Sequence, residues 1–204
     1  MYTADRPDSM SMTTPTAPSP DLPAGLASVP RTVVMVGLMG AGKSAIGRRV
    51  AQRLGLPFVD ADTEIERAAG QTIEEIFAAH GEAYFRDGER RVIARLLGDP
   101  VHVLSTGGGA FMDPETRRLI AERGISVWLR AELEVLLRRT SRRSNRPLLK
   151  NREPAEVLAK LIEVRYPVYA QADITVESTD GPPEVMVQQV IDALARHLAR
   201  EAAP

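Results

Sequence analysis

The chain has 204 residues, 44% of them hydrophobic and 26% charged, which suits one ordinary core and gives no reason to divide it between two. A formal net charge of −1 excludes a whole-surface attraction to nucleic acid or to an anionic membrane. With no cysteine there is no disulfide, no thiolate zinc site and no thiol nucleophile. No stretch approaches the roughly 18 consecutive apolar residues that span a bilayer, so the expectation is a cytoplasmic protein without nucleic-acid or membrane partners.

Residues 1–30 are dense in Pro, Ser, Thr and Ala and lack apolar periodicity, which predicts a disordered extension. It has neither the basic start and apolar run of a secretory signal nor an Arg-rich amphipathic face. Residues 31–204 are expected to form a single domain. Its first strand is Thr32 to Val36, followed by Gly37-Leu38-Met39-Gly40-Ala41-Gly42-Lys43-Ser44, a GxxxxGKS phosphate-binding loop in its required strand–loop–helix setting. Glycines let backbone N–H groups curl around phosphate oxygens, and the helix starting near Gly42 adds its positive end. Lys43 reaches the outer phosphates and Ser44 can ligate Mg²⁺.

Beyond the loop, a helical stripe runs from Lys43 to Leu54 and stops at Gly55. Pro57 to Val59 is a short strand leading into Asp60-Ala61-Asp62. Thr72-Ile73-Glu74-Glu75 is a capping box opening a helix to His80, ended by Gly81, and a further helix spans about Glu82 to Leu97. Val101 to Ser105 is the third strand, breaking into Thr106-Gly107-Gly108-Gly109. Asp113-Pro114 starts a helix ending at Gly124. Ile125 to Leu129 is the fourth strand and Glu132 to Arg139 a helix. Pro154 to Tyr166 is helical, Ile174 to Val176 is the fifth strand, and Pro183 to Ala199 is the last helix. Apolar strands alternating with helices predict an α/β fold, a three-layer αβα sandwich on a five-stranded parallel sheet, whose ligands bind at the carboxyl ends of strands.

Several groups of residues at those ends carry chemistry. If the extended conformation persists past the second strand, Asp60 and Asp62 point to the same side, one suited to Mg²⁺ through water beside Ser44 and one to a substrate hydroxyl. The alternative is that either merely caps the following helix. Three consecutive glycines weaken any regular element, so Gly107 to Gly109 suggest close approach of a ligand, against the alternative of a plain flexible loop. From Arg138 to Arg152 there are six arginines, one lysine and no acid, +7 against −8 for the rest of the chain. Lack of interleaved aromatics disfavours nucleic acid there. A lid bringing arginines onto a γ-phosphate fits better, and a solvated basic loop stays open. Arg86 and Arg165 lie on predicted helices; converging on one pocket they would suit a carboxylate, and taken singly each suits a surface. His80, His102 and His197 show no metal spacing and no triad.

GLMGAGKS, Phe58-Val59-Asp60-Ala61-Asp62, Gly81-Glu82 with Phe85-Arg86 and Glu89, Thr106-Gly107-Gly108-Gly109, Arg146-Pro147-Leu148-Leu149 and Arg165-Tyr166-Pro167-Val168-Tyr169 together resemble the shikimate kinase family, over about residues 31 to 200. The triple glycine and RPLL separate this set from gluconate and nucleoside monophosphate kinases. The resemblance implies a P-loop fold similar to nucleoside monophosphate kinases, a substrate-binding part at about 62–97 and a lid at about 140–151. It implies transfer of the γ-phosphoryl of ATP to the 3-hydroxyl of shikimate, with Mg²⁺, by a monomer. ATP is then expected at Gly40, Ala41, Gly42, Lys43, Ser44 and Ala45 with Arg139 near the adenine and Arg146 entering from the lid. The adenine loop falls within Ser178 to Pro183, and Ser44 and Asp60 serve the metal. Shikimate is expected at Asp62, Arg86, Gly107, Gly108, Gly109 and Arg165, with Lys43, Asp62 and Arg146 as the catalytic groups. Ala45 stands where Thr is common in phosphate loops, and the Pro-rich extension lies outside the family core. Rival readings are a kinase of another polyol acid such as gluconate, which leaves the two arginines unexplained, and a nucleotide-binding module without turnover, for which loss of Lys43, Asp62 or Arg146 is expected.

Overall fold

Five short apolar runs form strands β1 (Thr32–Val36), β2 (Phe58–Asp60), β3 (Val103–Ser105), β4 (Gly124–Arg130) and β5 (Ile174–Glu177). In the computed structural model, which describes residues 17–19, 21–23, 26, 28–141 and 153–203, they form one sheet in the order β2-β3-β1-β4-β5. Every pairing is parallel, and Met35 of β1 faces Ser105 of β3 and Val127 of β4. All five side chains of β1 are buried. Successive side chains on a strand point to opposite faces, so both faces of the sheet are covered and the predicted three-layer sandwich is what forms.

Among the described residues the helices are α1 (Lys43–Leu54), α2 (Ala61–Ala69), α3 (Ile73–Leu96), α4 (Pro114–Arg123), α5 (Leu133–Ser141), α6 (Pro154–Tyr169) and α7 (Pro183–Glu201), with a 3₁₀ turn at Ala110–Met112. Helix α1 packs on β3 and α7, α7 on β5 and α4 on β4. Gly47 lets α1 lie close to the sheet, since a Cβ there would come within 3.1 Å of Met35 and Phe58. Both predicted N-caps are formed: Thr72 and Glu75 make the reciprocal capping box of α3, and the Asp113 carboxylate accepts from Thr116 N at 2.8 Å.

Three departures from the sequence reading have physical causes. Helix α6 runs through Pro167 to Tyr169 rather than ending at Tyr166, because its tertiary contacts, with Leu158 and Tyr169 fully buried, outweigh the one backbone bond a proline removes. The extension expected to be disordered over 1–30 is anchored near its end: Leu26 and Val29 are buried in the main core and Ser19 N donates to Arg53 O at 3.0 Å. Two apolar side chains without a period were enough for burial and too few for a sequence pattern. Of the predicted lid, Thr140 and Ser141 are the last residues of α5, with Thr140 Oγ1 donating to Leu136 O at 2.7 Å; residues 142–152 lie outside those described.

Helices α2 and α3 carry a small core of their own, Ile65, Ile76 and Phe85. Gly81 interrupts α3 at φ 79, ψ 177, a region open essentially to glycine alone. The two predicted helices, to His80 and from Glu82, are thus joined end to end across a kink. Gly81→Ala is expected to destabilise the fold by about 1–3 kcal/mol, read as a lower urea midpoint at unchanged slope; an unchanged midpoint would show that the kink is not held.

Candidate active site

Each strand of the β2-β3-β1 half of the sheet ends in residues singled out by sequence. The loop after β1 runs from Gly37 to Gly42, and Gly42, in the left-handed region at φ 98, caps α1. Lys43 Nζ donates to Leu38 O at 3.1 Å, so the ammonium folds back over the loop. Ser44 Oγ donates to Asp60 Oδ2 at 2.7 Å and lies 3.1 Å from Ser105 Oγ at the end of β3. Hydroxyl, carboxylate and hydroxyl make a cluster of hard oxygens of the kind that suits Mg²⁺.

Asp60 and Asp62 are not two steps along a strand. The extended backbone ends at Asp60, whose Oδ1 accepts from Asp62 N at 3.1 Å and so caps α2. A helix begins there because a free N–H and a carboxylate two residues earlier satisfy each other. The capping alternative therefore holds for Asp60, which keeps its other oxygen for Ser44, and Asp62 sits in the first helical turn, directed to the glycines after β3.

Those glycines are where the second half of the site converges. A Cβ on Gly107 would lie 2.6 Å from Glu89 Oε1 and 3.0 Å from Asp62 Oδ1. One on Gly109 would lie 2.5 Å from the Arg86 guanidinium. Between them, Gly108 O accepts from Arg165 Nη1 at 2.7 Å and from the Tyr169 hydroxyl. The close approach inferred from three glycines is thus made by the protein's own charged side chains, which crowd against bare backbone. Arg86 from α3 and Arg165 from α6 do meet at one turn, as a carboxylate pocket requires.

Burial of Asp62, reinforced by Asp60, raises its carboxyl pKa against the lowering pull of Lys43. Glu89 is 2% exposed and its pKa is also raised, by burial first, although Arg86 opposes this with a 2.6 Å ion pair. Burial works against the Arg86 cation, and the Glu89 and Glu82 carboxylates outweigh it, leaving that pKa raised. Glu89 Oε1 has no hydrogen-bond partner among the described residues.

Arg139, expected near the adenine, stands between the phosphate loop and the β5–α7 connection. Nη1 donates to Gly40 O at 3.2 Å and to Ser178 Oγ at 2.9 Å, and Nη2 to Thr179 O. Arg146 lies outside the described residues. Sequence reasoning gave no role to Glu89, Ser105 or Tyr169, and named Ser178 only as the first residue of the expected adenine loop. An i,i+3 Arg–Glu pair on a predicted helix was a signal for Glu89, whereas the other three contribute through contacts between distant segments that no local pattern marks.

A raised carboxyl pKa means that the folded protein holds this proton more tightly than the unfolded chain. Stability linked to Asp62 is therefore lost as pH rises from the ordinary value near 4 through the raised one. Asp62→Asn, which cannot ionise, is expected to melt above the parent at pH 7 and to lose that advantage by about pH 4. Melting below the parent at pH 7 would mean that the fold gains from the ionised group.

A family model described as shikimate kinase matches residues 39–195. A shikimate kinase of Paramagnetospirillum magneticum is 60% identical over 171 residues, 84% of this chain and 88% of that protein. One of Rhodopseudomonas palustris is 56% identical over 96% of this chain and 97% of its own. Among solved structures, a shikimate kinase from Acinetobacter baumannii in complex with shikimate superposes with a TM-score of 0.80 at 37% identity, covering 89% of this chain and all of that one. A gluconokinase from Sinorhizobium meliloti, at 18% identity and a TM-score of 0.54, shares the fold alone.

Proposed function

Because this chain belongs to the shikimate kinase family, we propose that its cleft works as two facing halves, a phosphate loop for ATP and a glycine turn for shikimate. The protein is an ATP-using kinase that transfers the γ-phosphoryl group to the 3-hydroxyl of shikimate, a step toward aromatic amino acids. The observation that carries the site reading is that Asp62, Arg86 and Arg165 reach one turn, Gly107 to Gly109, whose strand is the hydrogen-bonded neighbour of the strand feeding the phosphate loop.

On the donor side, Gly40 to Ala45 offer backbone N–H groups and Lys43 a cation for the β- and γ-phosphates. Ser44 and Asp60 would hold Mg²⁺, which when bound supplies charge neutralisation across those phosphates. Arg139 borders the base site, and Arg146 is assigned to the transferring group, where a guanidinium offsets developing charge.

On the acceptor side, the planar forks of Arg86 and Arg165 suit a carboxylate, and the bare backbone of Gly107, Gly108 and Gly109 leaves room for a ring. Asp62 accepts a hydrogen bond from the attacking hydroxyl and orients it. Lys43 lowers its pKa against burial, so arrival of phosphates that draw Lys43 away would leave Asp62 the stronger base. A cytoplasmic monomer belongs to the same proposal. No helix among the described residues is long and apolar enough to cross a membrane.

With ATP and Mg²⁺, coupled ADP release is expected to depend on shikimate and not on gluconate or nucleoside monophosphates; turnover that ignores shikimate overturns the reading. Asp62→Asn is expected to lower kcat by about 10²–10⁴-fold with ATP affinity nearly unchanged. An equal fall in ATP affinity would place Asp62 on the donor side instead.

A further inference from the structure

One buried hydroxyl joins the end of β5 to the phosphate loop. Ser178, the residue after the strand, is 3% exposed. Its Oγ donates to Ala41 O at 2.9 Å and accepts from Arg139 Nη1 at 2.9 Å. Its own N–H donates to Arg130 O at 2.6 Å, so β4 holds its backbone while the side chain reaches across to the loop. Arg139 closes the joint from α5, bonding Gly40 O and Thr179 O with Nε 3.3 Å from Asp180 Oδ1.

The consequence follows from peptide geometry. The described chain has no cis bond, so the Ala41 carbonyl and the Gly42 N–H leave one planar unit in opposite directions. Holding the carbonyl aims the N–H. Gly42 is the N-cap of α1, so this N–H stands at the positive end of the helix, where an anion is best bound. Gly40 and Gly42 both sit at positive φ, and glycine populates either sign of φ readily. The Ser178 hydroxyl at 2.9 Å from Ala41 O, with the Arg139 guanidinium farther off at 3.5 Å, keeps this peptide from rotating.

We propose that Ser178 is a positioning residue for the phosphate loop, fixing the Ala41–Gly42 peptide so that the Gly42 N–H faces the triphosphate of the nucleotide. It touches no phosphate and acts through Ala41. The inference rests on the nucleotide reading above and extends it to a residue outside the loop motif. Arg139 thereby serves the loop as well as the border of the base site.

The test measures binding of ATP and of inorganic tripolyphosphate, which has no base, to the full chain and its variants. Ser178→Ala is expected to weaken both ligands by the same factor, about tenfold from the loss of a buried hydrogen-bond partner. KM for ATP should rise in proportion and KM for shikimate stay unchanged. Ser178→Thr, which keeps the hydroxyl, should restore both affinities; a merely structural role would lower melting without this selective loss. Parent-like tripolyphosphate binding by Ser178→Ala, or an equal loss of shikimate affinity, overturns the inference alone. Failure of the parent protein to bind either phosphate ligand overturns the nucleotide reading with it.

Discussion

Space at the end of β3 is the constraint on which the rest of the site depends. A methyl group on Gly107 or Gly109 would stand within 2.6 Å of a carboxylate or a guanidinium, so the turn must be bare for these charges to reach their places. Removing side chains at that point lets α2 and α3, and the distant α6, press charged groups onto one stretch of backbone. Arg165 and Tyr169 both end on Gly108 O. The turn is therefore a hub for side chains as well as a lining for a substrate.

Charges brought so close have to balance. Breaking a buried ion pair by removing one partner costs about 3–5 kcal/mol, and Glu89, at 2% exposure, is the partner that keeps Arg86 compensated before any substrate carboxylate arrives. Its own raised pKa shows that burial still outweighs the pairing. Asp62 is in the same position, with Lys43 as its counter-charge. Two carboxylates with raised pKa values beside two arginines make a site that carries electrostatic cost, as functional sites commonly do.

Much of this was legible in the sequence because the signals are local. The phosphate loop lies between an apolar run and a helical stripe, Thr72 and Glu75 announce their helix, and apolar strands alternating with helices announce a parallel sheet. What was not legible depends on competition between distant parts. Nothing in Phe58-Val59-Asp60 says that the strand ends by Asp60 capping the next helix, since the same carboxylate suits an extended continuation. Pro167 reads as a stop until the burial of Tyr169 is known. Leu26 and Val29 lack a period, and Ser178 bonds a carbonyl 137 positions away. Gly107 to Gly109 were read as a place where a ligand comes close, and the side chains found against them belong to α2, α3 and α6.

The pairing of Met35 with Ser105 has a further meaning. The strand that delivers the donor cradle and the strand that delivers the acceptor turn are immediate neighbours in the sheet, about 4.8 Å apart as hydrogen bonding requires. The sheet is thus a ruler between the two cradles, graduated in a length that loop changes cannot alter. Side chains of α3 and α6 are free to vary with the size and charge of an acceptor. The reach from phosphate to acceptor is set by the backbone itself, so a descendant of this chain with a new substrate would be expected to keep the distance and change the grip.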